Sequence, residues 1–264
     1  MRKSIILLLI FGFIAVFLPA CSKNHNNIMV NNGVFTVGIN INYPPMEYYA
    51  DDGITPVGFD VDLAMAIAQD LGLKIEFADT TWENIFYYLE AKKYDCIISS
   101  VTITPDRLSQ FNFSSPYIKN SLVLVMPKSP KRNIKSPLDI ASLSVAYQEG
   151  TTAADYMALL KRRNVDYTPF EYKKMTQCFD DLHLGRVDAV MTDLVVAHYY
   201  LSDDKFEIVW QGDEEVFGIC FKKSDMVLLN RVNKSLDKLF ANGTIVKMSK
   251  ENFNGMDLVS TVRK

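Results

Sequence analysis

Cysteine is scarce in this chain of 264 residues, with four in all. Cys21 closes an N-terminal apolar stretch, which leaves Cys96, Cys178 and Cys220 far apart. Three widely spaced thiols form neither a disulfide framework nor a zinc-ligand pattern, so no metal is expected and no cofactor either. Cys96 and Cys220 lie within apolar runs and read as small buried hydrophobes, with one pairing among the three left open. Basic excess is also lacking. The net charge is −3, or −5 once Arg2 and Lys3 are removed, and no basic stripe points to nucleic acid. Beyond the N-terminus there is no apolar run of about 18 residues or more, so no internal membrane-spanning helix is expected.

What is present is the composition of an ordinary folded protein, 48% hydrophobic and 22% charged. The length suits two lobes better than one core. Residues 1–20 read as a targeting segment, with Arg2 and Lys3 as its charged start and a long apolar stretch over 4–18. Leu18-Pro19-Ala20-Cys21 resembles a lipobox, the bacterial signal for lipid attachment to Cys21; a plain cleaved signal peptide is the competing reading. Residues 21–32 then form a polar tether.

Strands alternate with helices from residue 35 on, which predicts a parallel α/β sheet. Strands are expected over 35–39, 74–77, 95–99, 121–126, 143–147 and 216–221. Helices are expected from Asp60 to a stop at Gly72, and from capping boxes at Thr80-x-x-Glu83 and Thr152-x-x-Asp155. A long helix over 225–241 ends at Asn242-Gly243, Thr244 caps the last helix, and the tail from Asn254 is expected to be loose.

The chemistry concentrates after the third strand. Thr104-Pro105 reads as an N-cap and first helical position, placing Arg107 in a first turn where the helix dipole disfavours a cation. With hydroxyls and free N–H groups at the same strand end, this reads as a carboxylate-binding corner. The alternative is a surface Arg paired with Asp106 or another acid. Residues 89–100 also read like residues 182–193, at an offset of 93 throughout. Each is a helix end, a basic turn, an Asp and a buried strand ending in polar residues. Two lobes built alike would place Ser100 and Asp193 at equivalent strand carboxyl ends, where open α/β sheets bind ligands. Taken alone, Asp193 could be only a helix N-cap.

Five motifs carry a resemblance over residues 34–253: Tyr43-Pro44-Pro45-Met46-Glu47, Val57-Gly58-Phe59-Asp60-Val61-Asp62-Leu63-Ala64, Ser100-Val101-Thr102-Ile103-Thr104-Pro105-Asp106-Arg107, Gln148-Glu149-Gly150-Thr151-Thr152 and Asp188-Ala189-Val190-Met191-Thr192-Asp193. In this order they resemble the family 3 extracellular solute-binding proteins that feed ABC importers with amino acids. The resemblance implies a two-lobed periplasmic-binding-protein-like fold of type II, with two crossing strands near 120–121 and 216–218. Lobe one would comprise 33–120 and 218–264, and lobe two 121–217. It implies that Arg107 pairs with a ligand α-carboxylate, helped by Thr102 and the N–H of Thr151 or Thr152. Asp193 and the Ser100 carbonyl would take the α-ammonium, and Tyr43 and Trp82 would wall the side-chain pocket, core packing being their alternative. Relatives that bind cationic side chains often carry an acid where this chain has Asn40, and Glu149 near the mouth could restore some negative charge. A polar, uncharged amino acid such as glutamine or cystine is therefore expected. The implied partners are an importer permease and, through Cys21, the membrane of a cell surface or periplasm; the chain is expected to act as a monomer. The rival readings are a dehydratase of the cyclohexadienyl type, with Glu149 as its acid, and a ligand-sensing module for a membrane receptor.

Overall fold

The structure is a computed structural model that describes residues 28–129 and 133–262. The targeting segment and Cys21 lie outside the described residues. In chain order it opens with β1 (Val34–Ile39), the hairpin strands β2 (Tyr48–Tyr49) and β3 (Pro56–Val57), α1 (Phe59–Asp70) and β4 (Lys74–Asp79). Then come α2 (Ile85–Glu90), β5 (Cys96–Ile97), α3 (Pro105–Gln110), β6 (Phe111–Phe113) and β7 (Ile118–Pro127). Next are β8 (Ser144–Gln148), α4 (Thr152–Arg162), β9 (Thr168–Tyr172), α5 (Met175–His183), β10 (Ala189–Asp193) and α6 (Leu194–Tyr200). The chain closes with β11 (Phe206–Phe217), β12 (Cys220–Lys222), α7 (Met226–Ala241) and α8 (Thr244–Asn252).

Two five-stranded sheets result, in the orders β4-β1-β5-β12-β6 and β11-β7-β10-β8-β9. Each has a parallel half and an antiparallel half, so the sheets are mixed rather than parallel throughout. β1 pairs in parallel with β4 and β5, and β8 with β9 and β10. β12 and β7 run antiparallel to their neighbours. β7 and β11 pair from Ile118↔Phe217 to Pro127↔Phe206, a long antiparallel ribbon connecting the two sheets. β7 shows why a strand can serve two cores: Val123 and Val125 enter the large cluster shared with the first sheet, while Leu122, Leu124 and Met126 enter the cluster beneath α4.

The internal repeat is visible in hydrogen bonds. Asp95 accepts the N–H of Thr36 on neighbouring β1 (2.7 Å), and Asp188 accepts that of Ser144 on neighbouring β8 (2.8 Å). The reciprocal bonds, Asp95 N–H to Thr36 O and Asp188 N–H to Ser144 O, are both 2.8 Å. The same aspartate clasp therefore starts β5 and β10.

Several local expectations are corrected. The expected third strand is only Cys96–Ile97, because Ser99 and Ser100 turn into side-chain bonds with Glu47 and Asp60. The expected strand over 216–221 breaks at Gly218-Ile219, dividing β11 from β12. The Thr80 box does not form. Thr80 remains tied to Ile39 O, so Thr81 starts the element and its first turn is a 3₁₀ turn, Trp82–Asn84. The Thr152 box fails by one residue: Gly150 (φ +70°) lets Thr151 become the N-cap, with its Oγ1 accepting Ala154 N–H. Gly243 in the left-handed region, not Thr244, precedes α8. The C-terminal stretch is packed up to its described end. Val259 is fully buried, Leu258 O accepts Lys119 N–H (3.3 Å), and Asp257 caps Val259 and Ser260. At the other end Met29 is buried and Val30 N–H reaches Asp95 Oδ1 (2.5 Å), so the expected tether already packs there. Cys96, Cys178 and Cys220 are free and buried.

Candidate functional site

The carboxyl ends of the parallel strands of both sheets converge on one cleft, with about 320 Å³ of empty space including its mouth. β1 delivers Asn40 and Tyr43, β5 delivers Ser99 and Ser100, β8 delivers Gln148, Thr151 and Thr152, and β10 delivers Asp193. Trp82, Thr102, Arg107 and Glu47 complete the lining. Of the residues singled out from the sequence, Arg107, Asp193, Thr102, Ser100, Thr151, Thr152, Tyr43, Trp82 and Asn40 meet here. Glu149 is not in the lining; it lies half-buried beside it, its N–H bonded to Tyr172 O.

Arg107 is held from three directions. Thr104 caps α3 by accepting the Arg107 N–H (3.2 Å), with Pro105 as first helical residue. Its Nη1 donates to Thr102 O (3.0 Å), and its guanidinium lies over Trp82 (5.5 Å) and Phe86 (5.3 Å). Burial lowers its pKa, with Asp155, Asp193 and Glu215 acting in the opposite sense. Thr102 is fixed in turn, because Ile103 N–H bonds Val216 O and Gly218 N–H bonds Val101 O. The Arg107 corner is thus braced against the end of the β7–β11 ribbon.

Asp193 stands at the start of α6 but makes no side-chain cap bond there. Its carboxylate turns into the cleft instead, accepting from Tyr43 Oη (2.5 Å) and Asn120 Nδ2 (2.6 Å). Burial raises its pKa to about 6, opposed by these two bonds and by Arg107. Tyr43 is pushed up by burial and by Asp193. Tyr43 and Trp82 are each both core and wall: both are buried in apolar clusters while facing the cleft. Trp82 Nε1 also donates to Gly150 O (2.9 Å) on the opposite side.

Behind the Ser99-Ser100 corner lies a group that sequence reasoning left without a role. Glu47 accepts from Ser99 Oγ (2.7 Å); Asp60 accepts from Ser100 N–H (2.6 Å) and Tyr117 Oη (3.0 Å). Both carboxyls are buried and pushed up, Asp60 to about 7, chiefly by burial. Asp60 Oδ1 has no hydrogen-bond partner among the described residues, and burial and the neighbouring Asp60 hold the Glu47 carboxyl well above its usual range. This pair holds Ser100 in the left-handed region (φ +52°) at the cleft. Gly58 makes the approach possible, since at φ +122° a Cβ there would lie 2.4 Å from Met46 O. Their signal was present in the Pro-Pro-Met-Glu and Gly-Phe-Asp motifs. Asn40 bonds Thr80 O (2.7 Å) and lies 3.5 Å from Gln148 Nε2, so the neutral position is occupied by amide contacts across the cleft.

The arrangement offers a cation on one side and a carboxylate on the other, with hydroxyls between. The comparisons with known proteins point the same way. Residues 35–255 match the family described as bacterial extracellular solute-binding proteins, family 3. The L-cystine-binding protein TcyJ of Escherichia coli (strain K12) is 26% identical over 231 residues, covering 86% of this chain and 85% of that protein. The L-cystine-binding protein TcyA of Bacillus subtilis (strain 168) is 28% identical over 270 residues, covering 96% of this chain and 98% of that protein. A solved ancestral arginine-binding protein bound to arginine has a TM-score of 0.79 at 32% identity, over 84% of this chain and 98% of that one. With the match running through both sheets and every motif of the cleft, the chain belongs to the bacterial extracellular solute-binding proteins of family 3.

Proposed function

We propose that this extracytoplasmic protein binds a polar L-amino acid as its zwitterion and delivers it to an ABC importer. The observation that carries the reading is the facing of Arg107 and Asp193 across one cleft, from opposite sheets. Arg107, Thr102 and the first-turn N–H groups of α4 would take the α-carboxylate. Asp193 and the Ser100 carbonyl would take the α-ammonium. A ligand bridging the two sheets stabilises the closed arrangement, because only there are both charges met. The lobes would be 33–120 with 218–264, and 121–217, moving about the β7–β11 ribbon.

The neutral Asn40 supports an uncharged side chain such as that of glutamine or cystine. A lipid on Cys21 would keep the monomer at the membrane beside its permease. The dehydratase alternative lacks support, since its candidate acid Glu149 is not in the lining.

Thermal unfolding of the mature chain, with Cys21 replaced, against the common L-amino acids and L-cystine tests the reading. A ligand at a hundredfold excess over Kd adds about 2.7 kcal/mol to the folded state. One or two amino acids should raise the Tm, and Arg107→Ala and Asp193→Ala should each abolish the shift. A flat panel with ligand-stripped protein would refute the amino-acid assignment.

A further inference from the structure

The carboxylate corner contains an acid that the zwitterion account does not use. Glu215 lies on β11 opposite Asn120, just after a bulge between Gln211 and Glu214. Its Oε2 accepts from Thr102 Oγ1 and from Thr152 Oγ1, each at 3.4 Å. Those hydroxyls line the binding cleft. Glu215 itself faces outward into a second cleft of about 710 Å³, with Tyr156, Trp210 and Gln211, so it stands between the binding cavity and solvent.

We propose that Glu215 is an internal carboxylate that competes with the ligand's α-carboxylate for Thr102, Thr152 and Arg107, and that it takes up a proton when an amino acid binds. The inference rests on the carboxylate-site reading above. The charge count supports it. One guanidinium, Arg107, serves the corner. Asp193 and Asp155 both act on that same cation, and Lys119 on the neighbouring strand is paired with Glu214 at 2.8 Å. Glu215 is already raised to about 7, by burial first and then by Asp193, with the two threonine bonds and Arg107 opposing. A ligand carboxylate placed on the same donors adds a like charge, which favours neutral Glu215. The proton comes from solvent through the outer cleft, and no covalent bond changes.

The sign follows. Binding that takes up a proton weakens as pH rises through the free-protein pKa. Between pH 6.5 and 8 the affinity should fall on the order of tenfold.

The test uses the full-length chain in mild detergent, titrated calorimetrically with the tightest binder among the common L-amino acids and L-cystine. Titrations at pH 8 in phosphate and in Tris separate proton uptake from binding heat. The expected result is close to one proton taken up by the wild type and none by Glu215→Gln. Glu215→Gln should also bind several-fold more tightly at pH 8. A Glu215 that only ties Thr102 to Thr152 would leave the uptake unmoved by this nearly isosteric change. No uptake in the wild type, or uptake that persists in Glu215→Gln, overturns the inference, the latter assigning the proton to Glu47 and Asp60. Arg107→Ala run in parallel separates the two readings. Lost binding in Arg107→Ala with no uptake in the wild type removes only the role of Glu215. Unchanged binding in Arg107→Ala, or no binding by the wild type, removes both.

Discussion

Asp193 and Arg107 show how the same side chain can look ordinary in a sequence and singular in place. Asp193 occupies an N-cap position without capping, because Tyr43 and Asn120 draw its carboxylate into the cleft. Its pKa of about 6 lies above the value of an unfolded Asp, near 3.9. The native state therefore binds the proton more tightly, and its stability relative to the unfolded chain falls as pH rises from about 4 to 6. At about 1.4 kcal/mol per pH unit, keeping Asp193 ionised at neutral pH costs on the order of 3 kcal/mol. The ligand-stripped protein should accordingly melt higher at pH 5.5 than at pH 8, and Asp193→Asn should reduce that difference without abolishing it, because Asp60 and Glu215, each raised to about 7, lose protons over the same range; scanning calorimetry at the two pH values reads it. Binding has the opposite sign at this residue. An ammonium prefers ionised Asp193, so affinity should drop toward tenfold per pH unit below about 6. This acid limb should survive Glu215→Gln, which acts on the alkaline side only.

Among the elements, the short helix α3 has the largest consequence. Its six residues are held by Thr104 capping the Arg107 N–H. Thr104→Ala should destabilise the protein by about 1 kcal/mol, a drop of roughly 2–4 °C in Tm for a chain of this size. It should also weaken amino-acid binding through the loss of Arg107 placement, and calorimetry on the one variant checks both. This element is legible in the sequence, because Thr-Pro-x-Arg is a local pattern: cap, first turn and cation lie within four residues. The recurrence of Asp95 and Asp188 before a buried strand is legible for the same reason, but the clasps they form with Thr36 and Ser144, 59 and 44 positions away, are not. What stayed hidden depends on chain crossings. Glu215 meets Thr102 across 113 positions and Thr152 across 63, and reaches them only after a bulge. Capping was misplaced at Thr80 and Thr152 because tertiary bonds, Thr80 to Ile39 and the Gly150 turn, moved the helix start by one residue. The C-terminal stretch looked loose because its polar run hides single anchors, Leu258 and Val259, that matter only against β7 and the core.

At the scale of the whole molecule, two sheets of similar design meet at a seam crossed by few specific contacts. Tyr43 to Asp193, Trp82 to Gly150, Asn40 to Gln148 and the Lys173–Glu83 ion pair all span it. Trp82 is the useful reporter, since Trp210, the second tryptophan, stacks on Tyr156 and lines the outer cleft rather than the binding cleft. Amino-acid binding should change the tryptophan emission of the wild type, and Trp82→Phe should remove most of that change while Trp210→Phe retains it. Trp82→Phe keeps a ring but loses the Gly150 bond. Its affinity should fall by about fivefold, equivalent to one hydrogen bond of roughly 1 kcal/mol, with the loss appearing in the dissociation rate by stopped-flow.

The account turns on recognition of both ends of a zwitterion at once. The most direct measurement compares the best-binding amino acid with its N-acetyl derivative and its α-amide, by titration calorimetry at pH 7. The first derivative removes the ammonium that Asp193 would meet, and the second removes the carboxylate that Arg107 would meet. Truncating one partner of a buried, hydrogen-bonded charge pair costs about 2–5 kcal/mol, so each derivative should bind at least about thirtyfold more weakly. Full affinity for either derivative would contradict the account and detach the corresponding residue from the ligand.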